Sequence, residues 1–212
     1  MTAPAPLPPH RLLPDFLEPD EHRRLLEWTL GERDRFRPAR LIGGVLDPER
    51  RIASNLRELG EMEAMVEAAV HRRRADIFAG AGVKPFPLEA IEIELAAHGD
   101  GAHFAPHLDI PYGAGRSLAA GERASARGRL VSAVYYFHAE PKGFAGGELR
   151  LHRFGSRASG EPGSFVDVPP AQNALLAFPS MALHEVRPVS VPSGRFEDSR
   201  FAINIWLCRG AD

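Results

Sequence analysis

The spacing of hydrophobic residues changes once along this chain of 212 residues. Up to about Pro85, apolar positions recur every three to four residues, which is the period of an α-helix packed along one face. Beyond Pro85, apolar and polar positions alternate, which is the period of a half-buried β-strand. The pattern therefore predicts helices first and a β-rich region after them.

Two helices are predicted in the first part, after a proline-rich arm. EPDEHRRLLEWTLGE (18–32) has Pro19 at the first helical position, acidic residues in the first turn and Gly31 as a stop. A second helix ends at GAG (80–82), and we expect its apolar stripe to pack in the core. That stripe is Leu59, Met62, Met65, Val66, Ala69, Val70 and Ile77.

Eight strands are predicted in the second part, separated by glycine, proline and polar turns. They are 88–97, 103–109, 129–138, 147–154, 164–168, 173–178, 184–189 and 201–208. Eight short strands are typical of a jelly roll or barrel, so the fold class is mainly β with supporting helices (α+β). Residues 110–128 and 155–163 are predicted loops. We expect one domain over 1–212, with arm and helices in 1–85 and the β core in 86–212.

Composition narrows the function classes. A net charge of −2 does not favour an extended nucleic-acid surface, and HRRR (71–74) is interpreted as the solvated end of a helix. One cysteine, Cys208, excludes internal disulfides and zinc fingers, which favours a reducing compartment. The start MTAPAPLPPH lacks a signal-peptide pattern and no apolar run is long enough to span a membrane, so we expect a cytoplasmic protein.

The segment HFAPHLD (103–109) carries the first candidate chemistry. Pro106 makes a helix unfavourable, so the segment is predicted as a strand on which alternate side chains share a face, about 6.6 Å apart. His107 and Asp109 can then converge on one ion, whereas His103 lies about 13 Å back along the strand. A His-x-Asp pair alone is a weak signal, because a histidine beside a carboxylate is usually a surface hydrogen bond.

His184 supplies a third ligand, since it begins the seventh predicted strand, which neighbours the second in an eight-stranded jelly roll. Two histidines and one carboxylate on one face of a metal are diagnostic of non-haem Fe(II) oxygenases. Two alternatives use the same three ligands: a cupin-like barrel that binds metal without turnover, and a zinc hydrolase. The hydrolase needs a nearby glutamate as base, but Glu185 is predicted to point to the opposite face of its strand.

Six sequence blocks resemble the prolyl 4-hydroxylase-like branch of the 2-oxoglutarate, Fe(II)-dependent dioxygenases. They are HLD, RLVSAVYYF, FAGGELRL, ALLAFPS, HEVRPV and SRFAINIWL, within residues 86–208. The resemblance implies a double-stranded β-helix (jelly-roll) core, with His107, Asp109 and His184 holding Fe(II). It also implies O2 and 2-oxoglutarate as co-substrates, the latter chelating iron through its C1 carboxylate and keto oxygen, with ascorbate as a candidate reductant.

The resemblance assigns the distal carboxylate of 2-oxoglutarate to Arg200, six positions before Trp206, and to Tyr136. The strand pattern supports both residues. Phe201, Ile203, Ile205 and Leu207 form an apolar face, so the opposite face with Arg200, Asn204 and Trp206 must line a cavity, where arginine needs an anion. Ser132 shares a strand face with Tyr136 and is predicted to line the same cavity. Taken alone, the tyrosine could equally be a core aromatic, and the arginine a surface residue.

Several positions depart from the family pattern. Relatives often carry a tyrosine ten positions before the first metal histidine, where this chain has Ala97; its hydrogen bond is either missing or supplied by His98. The stretch from His184 to Arg200 is longer than usual, which makes Arg195 a rival to Arg200. Otherwise His98, His138 and His152, at strand ends or turns, are expected to be exposed or locally hydrogen-bonded, without a role. Gly146 and Gly147 are expected to permit a tight turn.

These features predict an oxygenase that hydroxylates an unactivated C–H bond. The resemblance favours a prolyl residue in a protein or peptide as substrate, and a free amino acid or other small molecule is the alternative. No nucleic-acid or membrane partner is expected, and the sequence does not determine the oligomeric state.

Overall fold

The computed structural model describes residues 5–41, 44–110, 128–155 and 163–210. Both helices form as predicted: α1 (Pro19–Gly31) and α2 (Glu61–Ala81). Pro19 begins α1, where its missing N–H removes no hydrogen bond, and Gly82 ends α2 in the left-handed conformation. None of the described helices is long and apolar enough to cross a membrane.

The described residues form fourteen strands. The first seven are β1 (Arg11–Leu13), β2 (Arg37–Pro38), β3 (Arg51–Ile52), β4 (Ser54–Leu56), β5 (Ala90–His98), β6 (His103–His107) and β7 (Arg129–Phe137). The others are β8 (Ala145–Gly146), β9 (Leu149–His152), β10 (Phe165–Val168), β11 (Ala174–Pro179), β12 (His184–Val186), β13 (Val189–Ser190) and β14 (Arg200–Cys208).

Two antiparallel sheets form the body of the molecule. The major sheet has the order β1-β11-β7-β14-β5-β4-β2, and the minor sheet has the order β10-β9-β12-β6-β3. Side chains from both sheets pack between them, including Tyr136 and Ala202 from the major sheet and Leu149 and Leu151 from the minor sheet. The predicted mainly β, jelly-roll class is thus confirmed.

The helices cover the outer face of the major sheet. The apolar face predicted for β14 packs there against the stripe of α2, in one core with Leu25 of α1. Gly80 lets α2 approach β1, because a Cβ at this position would lie 2.9 Å from the Cβ of Arg11. The opposite face of β14, which starts with Arg200, is therefore left for the interior between the sheets.

The structure corrects some predicted boundaries. Residues before 85 were expected to hold only an arm and helices, but they contribute β1 to β4, which are too short to show alternation. The predicted strand 184–189 is divided into β12 and β13, because Pro188 has no N–H to donate to a ladder. The predicted strand 147–154 begins only at Leu149, since Gly146 and Gly147 have φ values of 73° and 72°. Most of both predicted loops lies outside the described residues.

Candidate metal centre and anion pocket

The predicted triad assembles between the two sheets. His107 ends β6 and His184 begins β12, and the two residues are direct partners in the antiparallel ladder. Asp109 lies just beyond β6, where its backbone N–H donates to the carbonyl of Ser180 at 3.3 Å. Among the described residues, the ligand atoms of these three side chains lie within 4.8 Å of one another. This is close enough for one metal ion to bind all three.

Backbone carbonyls fix the tautomer of both histidines. Nδ1 of His107 lies 2.9 Å from the carbonyl of Ala105, and Nδ1 of His184 lies 2.9 Å from the carbonyl of Ala182. A carbonyl only accepts, so each Nδ1 carries the proton and each Nε2 keeps its lone pair for a metal. Each Nε2 faces Asp109, at 3.9 Å for His107 and 3.6 Å for His184.

The site keeps its ligands in the protonation states that metals bind. Burial, and then the neighbouring His184, lower the pKa of His107 to about 3, so its imidazole is neutral at ordinary pH. Burial acts to raise the pKa of Asp109, but the facing histidines and Ser132 outweigh it and the net shift is downward. A carboxylate and two neutral imidazoles are the donor set of Fe(II) in the facial-triad oxygenases.

Ser132 supports Asp109 from the major sheet. Its hydroxyl donates to Oδ2 of Asp109 at 2.5 Å and lies 2.9 Å from the hydroxyl of Ser180. The single proton of Ser132 is used on the carboxylate, so Ser180 must donate to Ser132. Ser132 was predicted to contact the co-substrate, and the structure places its hydroxyl on the metal ligand.

Trp206 and Arg129 hold the other side of Asp109. Trp206 is half-buried, and its interaction with Asp109 also favours the ionised carboxylate. The guanidinium of Arg129 lies 4.0 Å from the centre of the Trp206 ring, donates to Glu92 and reaches the carbonyl of Asp109 at 3.4 Å. Arg129 carries no distinguishing signal in the sequence, because its role depends on a contact across the sheet.

A second polar group lies at the other end of the inner face of β14. Arg200 is only 1% exposed, and its guanidinium carbon lies 4.9 Å from the centre of the Tyr136 ring. Nε and Nη2 of Arg200 and the hydroxyl of Tyr136 are buried without a hydrogen-bond partner among the described residues. Burial lowers the pKa of Arg200 and raises that of Tyr136 to about 12, and the interaction between the two side chains opposes both shifts without forming a hydrogen bond of good geometry. The phenol therefore keeps its proton and is able to donate. These donors converge where an anion is needed.

The rival arginine lies elsewhere. Arg195 is 65% exposed in its side chain and pairs with Asp198 at 2.9 Å and 3.1 Å. Asn204 faces the interior between Arg200 and Trp206 and is half-buried, and its direct partner on β5 is Glu94. The structure thus brings Arg200 together with Tyr136, and Ser132 and Trp206 together with Asp109.

Three histidines that were expected to be exposed or locally hydrogen-bonded are buried. His98, His138 and His152 have exposures of 4%, 7% and 1%. His138 is also hydrogen-bonded locally, since its Nδ1 lies 2.9 Å from the carbonyl of Ala139. Nδ1 of His98 lies 3.1 Å from Nη1 of Arg200.

Gly147 also belongs to this pocket. A Cβ at this position would lie 2.6 Å from Cδ of Arg200, so the glycine leaves the space that the arginine side chain occupies. At Gly146 a Cβ would lie 2.3 Å from the carbonyl oxygen of Pro188, which is the backbone approach predicted from the sequence. The contact between Gly147 and Arg200 had no signal in the sequence beyond the glycine itself.

Comparison with known proteins agrees with this geometry. Residues 93–208 match the profile of the 2OG-Fe(II) oxygenase superfamily. A protein of Synechocystis described as an uncharacterized PKHD-type hydroxylase is 26% identical over 195 residues, which cover 91% of this chain and 61% of that protein. The chain thus spans about three fifths of the length of this curated relative.

Solved structures share the fold. A prolyl-4-hydroxylase of Pseudomonas putida superposes with a TM-score of 0.66 at 24% identity, covering 95% of this chain and 94% of that one. A prolyl hydroxylase of Trichoplax adhaerens, in complex with a peptide fragment of the hypoxia inducible factor oxygen degradation domain, has a TM-score of 0.66 at 18% identity, with coverages of 94% and 83%. The viral collagen prolyl hydroxylase of Paramecium Bursaria Chlorella virus-1, solved with 2OG, has a TM-score of 0.59 at 14% identity, with coverages of 96% and 97%.

Proposed function

Because the chain belongs to the 2OG-Fe(II) oxygenase superfamily, we propose that it hydroxylates a prolyl residue in a protein or peptide, with 2-oxoglutarate as co-substrate. His107, Asp109 and His184 would hold the Fe(II), and Arg200 and Tyr136 would bind the distal carboxylate of 2-oxoglutarate. When bound, iron and 2-oxoglutarate supply the oxidative chemistry, in which O2 delivers one oxygen atom to the substrate C–H bond and one to succinate, with release of CO2.

One observation carries the proposal: the buried guanidinium of Arg200 forms no ion pair with an acidic side chain of the described residues, and the more distant Glu148 acts on it only through its charge. Its Nε and Nη2, together with the hydroxyl of Tyr136, are three buried donors without a partner among the described residues. A buried cation is costly unless an anion and hydrogen bonds compensate it. The side edge of a guanidinium donates two parallel hydrogen bonds to a carboxylate, so a carboxylate is the ligand that fits.

Hydrogen bonds with neighbouring groups orient the three side chains of the triad. The carbonyls of Ala105 and Ala182 orient the two imidazoles, and Ser132 orients the carboxylate. Second partners of this kind set the direction and basicity of metal ligands. The metal and the carboxylate pocket share the inner face of the major sheet, because Ser132 and Tyr136 lie on one face of β7.

Glu185 argues against the alternative of a zinc hydrolase. Its carboxylate pairs with Arg187 at 3.6 Å and with His152 at 3.3 Å, so it is engaged away from the triad. A barrel that only binds metal would have no use for the donors of Arg200 and Tyr136, whose burial is costly without an anion.

The prolyl substrate rests on the similarities. The structural relatives include prolyl hydroxylases from a bacterium, an animal and a virus, one of them solved with a peptide, and the sequence relative is described as a hydroxylase. A small molecule is the alternative substrate, and ascorbate is a proposed accessory reductant. We expect proteome comparison between cells with and without the protein to reveal peptides that gain one oxygen atom on proline; gain only on a metabolite would select the alternative.

The two arginines provide the test of the carboxylate pocket. Anaerobic protein loaded with Fe(II) is titrated with 2-oxoglutarate, and the visible absorbance of the chelate is followed. Loss of one partner of a buried charge pair should weaken 2-oxoglutarate binding in Arg200→Ala by about thirtyfold or more. Arg195→Ala is the matched control and should stay within a factor of about five, because Arg195 pairs with Asp198 at the surface. Damage in Arg195→Ala alone would overturn the assignment.

A further inference from the structure

His98 and Arg200 form a pair across the two strands that lie side by side at the carboxylate pocket. His98 ends β5 and Arg200 begins β14, and the two are direct partners in the ladder. Both side chains are buried, with exposures of 4% for His98 and 1% for Arg200. Nδ1 of His98 lies 3.1 Å from Nη1 of Arg200, which is within hydrogen-bond distance.

The chemistry of the two groups fixes the direction of this hydrogen bond. A guanidinium has only donors, so Nη1 must donate and Nδ1 of His98 must accept. An imidazole that accepts at Nδ1 is neutral and carries its proton on Nε2. Burial, followed by the charges of Arg200 and Arg51, lowers the pKa of His98 well below its usual value, in agreement with a neutral ring.

This hydrogen bond determines which edge of Arg200 stays free. With Nη1 held by His98, the remaining edge consists of Nε and Nη2, the two atoms that are buried without a partner among the described residues. These two N–H groups point the same way and match the two oxygens of a carboxylate. The absent side chain of Gly147 leaves room for the arginine, because a Cβ there would lie 2.6 Å from Cδ and 3.1 Å from Nε of Arg200.

We propose that His98 is a positioning residue for the co-substrate: as a neutral Nε2–H imidazole it holds Nη1 of Arg200 and aims the Nε and Nη2 edge at the distal carboxylate. The inference rests on the proposed function, since it assumes that 2-oxoglutarate occupies this pocket. Ala97 is the ladder partner of Phe201 and packs in the core under the helices, so of these two neighbours only His98 reaches the pocket.

The test uses two ligands that differ only in the distal end. 2-Oxoglutarate and 2-oxobutanoate share the metal-chelating end, but only the former has the carboxylate that Arg200 would bind. Both are titrated into anaerobic Fe(II)-loaded wild type, His98→Phe and His98→Gln, with chelate absorbance as the readout. Phenylalanine keeps a ring without an acceptor, and glutamine restores an acceptor oxygen.

The expected result is selective. His98→Phe should lose about tenfold to a hundredfold in affinity for 2-oxoglutarate, the effect of one hydrogen bond to a charged group, and stay within about twofold for 2-oxobutanoate. His98→Gln should recover most of the loss. His103→Phe is the control, because within the described part of the chain the ring nitrogens of His103 face backbone carbonyls, those of Gly101 and Glu49, each at 3.2 Å. Its affinities should match the wild type.

Four outcomes would overturn the inference. An unchanged affinity of His98→Phe for 2-oxoglutarate, or an equal loss for both ligands, would show that His98 does not act through the distal carboxylate. Nitrogen NMR of the metal-free protein should show Nε2 protonated and Nδ1 unprotonated in His98, and the opposite tautomer would contradict the hydrogen bond to Arg200. Wild-type protein that binds no 2-oxoglutarate would overturn the proposed function and the inference together.

Discussion

Gly147 is the residue that gives Arg200 its place in the pocket. Its φ is 72°, which L-residues with a side chain rarely adopt, and a Cβ there would lie 2.6 Å from Cδ of Arg200. In Gly147→Ala the backbone strain should cost about 1 to 2 kcal/mol of stability, and displacement of Arg200 should reduce 2-oxoglutarate affinity by about tenfold or more. Denaturant unfolding and the anaerobic titration measure the two effects.

Gly194→Ala is the matched control for this prediction. Gly194 has a φ of 64°, but an added Cβ would meet no atom within 4 Å. It should therefore show a similar loss of stability with unchanged 2-oxoglutarate affinity. If both variants bind 2-oxoglutarate like the wild type, Gly147 does not position Arg200.

The spacing of residues along a strand predicts which of them share a face, so it predicted the parts of the site that depend on strand faces. Alternation placed Arg200, Asn204 and Trp206 on one face of β14 and paired His107 with Asp109, and the strand order of a jelly roll added His184. It could not show that Ser132 donates to Asp109 or that His98 accepts from Arg200, because these contacts depend on how neighbouring strands align. The roles of these residues in binding remain predictions.

A partly buried series of hydrogen bonds joins helix α1 to the major sheet. Nδ1 of His22 lies 2.7 Å from the hydroxyl of Tyr135, which lies 3.0 Å from Oδ1 of Asn173. If Tyr135 donates to Asn173, it accepts from His22 and Nδ1 carries the proton. Burial, and then the nearby His138, lower the pKa of His22 below 6.5, although Glu140 opposes the shift.

The stability of this attachment should depend on pH. The unfolded chain binds a proton at His22 more readily than the folded protein, so stability present above the unfolded pKa near 6.5 is lost as pH falls through the lower folded value. We expect the stability advantage of the wild type over His22→Gln to shrink between about pH 8 and about pH 5. Urea unfolding at each pH measures it, and a constant difference would contradict the shifted pKa.

An ion pair joins strand β3 to the major sheet. Nη2 of Arg51 lies 3.1 Å from Oε1 of Glu94 on β5, and the two side chains are 10% and 11% exposed. The guanidinium also lies 4.7 Å from the centre of the Phe104 ring, which stacks on His107. The pair therefore links the minor-sheet edge beside a metal ligand to the other sheet.

Breaking this pair should be costly. Glu94→Gln leaves Arg51 without its charge partner, and such a loss in a buried pair typically costs about 3 to 5 kcal/mol. The control Glu58→Gln removes a carboxylate that is 92% exposed and lies 3.9 Å from Arg35, which should cost about 0 to 1 kcal/mol. Denaturant unfolding of both variants measures the loss in free energy of unfolding. Equal losses would show that the pair of Arg51 and Glu94 contributes no more than a surface pair.

The elements that escaped prediction share a physical cause. β1 to β4 and β8 have two or three residues each, which is too few to show a period of two, and they form because neighbouring strands offer unpaired backbone groups. The eight longer segments were predictable because each presents one face to a core. Where a predicted strand is interrupted, the interruption lies at a proline or at a glycine in the left-handed conformation. These residues mark strand ends more reliably than the hydrophobic pattern does.

On the scale of the whole molecule, the candidate site residues lie between the two sheets. The minor sheet supplies His107 and His184, and the major sheet supplies Ser132, Tyr136 and Arg200. Helices cover only the outer face of the major sheet, so the polar inner face of β14 is directed toward the metal ligands. The apolar face of β14 therefore contributes to the core, and its polar face contributes to the candidate site.

The most direct test of the oxygenase assignment compares metal-dependent binding of 2-oxoglutarate in wild type and Asp109→Ala. Anaerobic wild-type protein with Fe(II) should develop the visible chelate absorbance when 2-oxoglutarate is added, and on admission of O2 it should convert 2-oxoglutarate to succinate. Asp109→Ala loses the only carboxylate of the triad and should show neither. Absence of both signals in folded wild type, or full turnover in Asp109→Ala, would contradict the assignment.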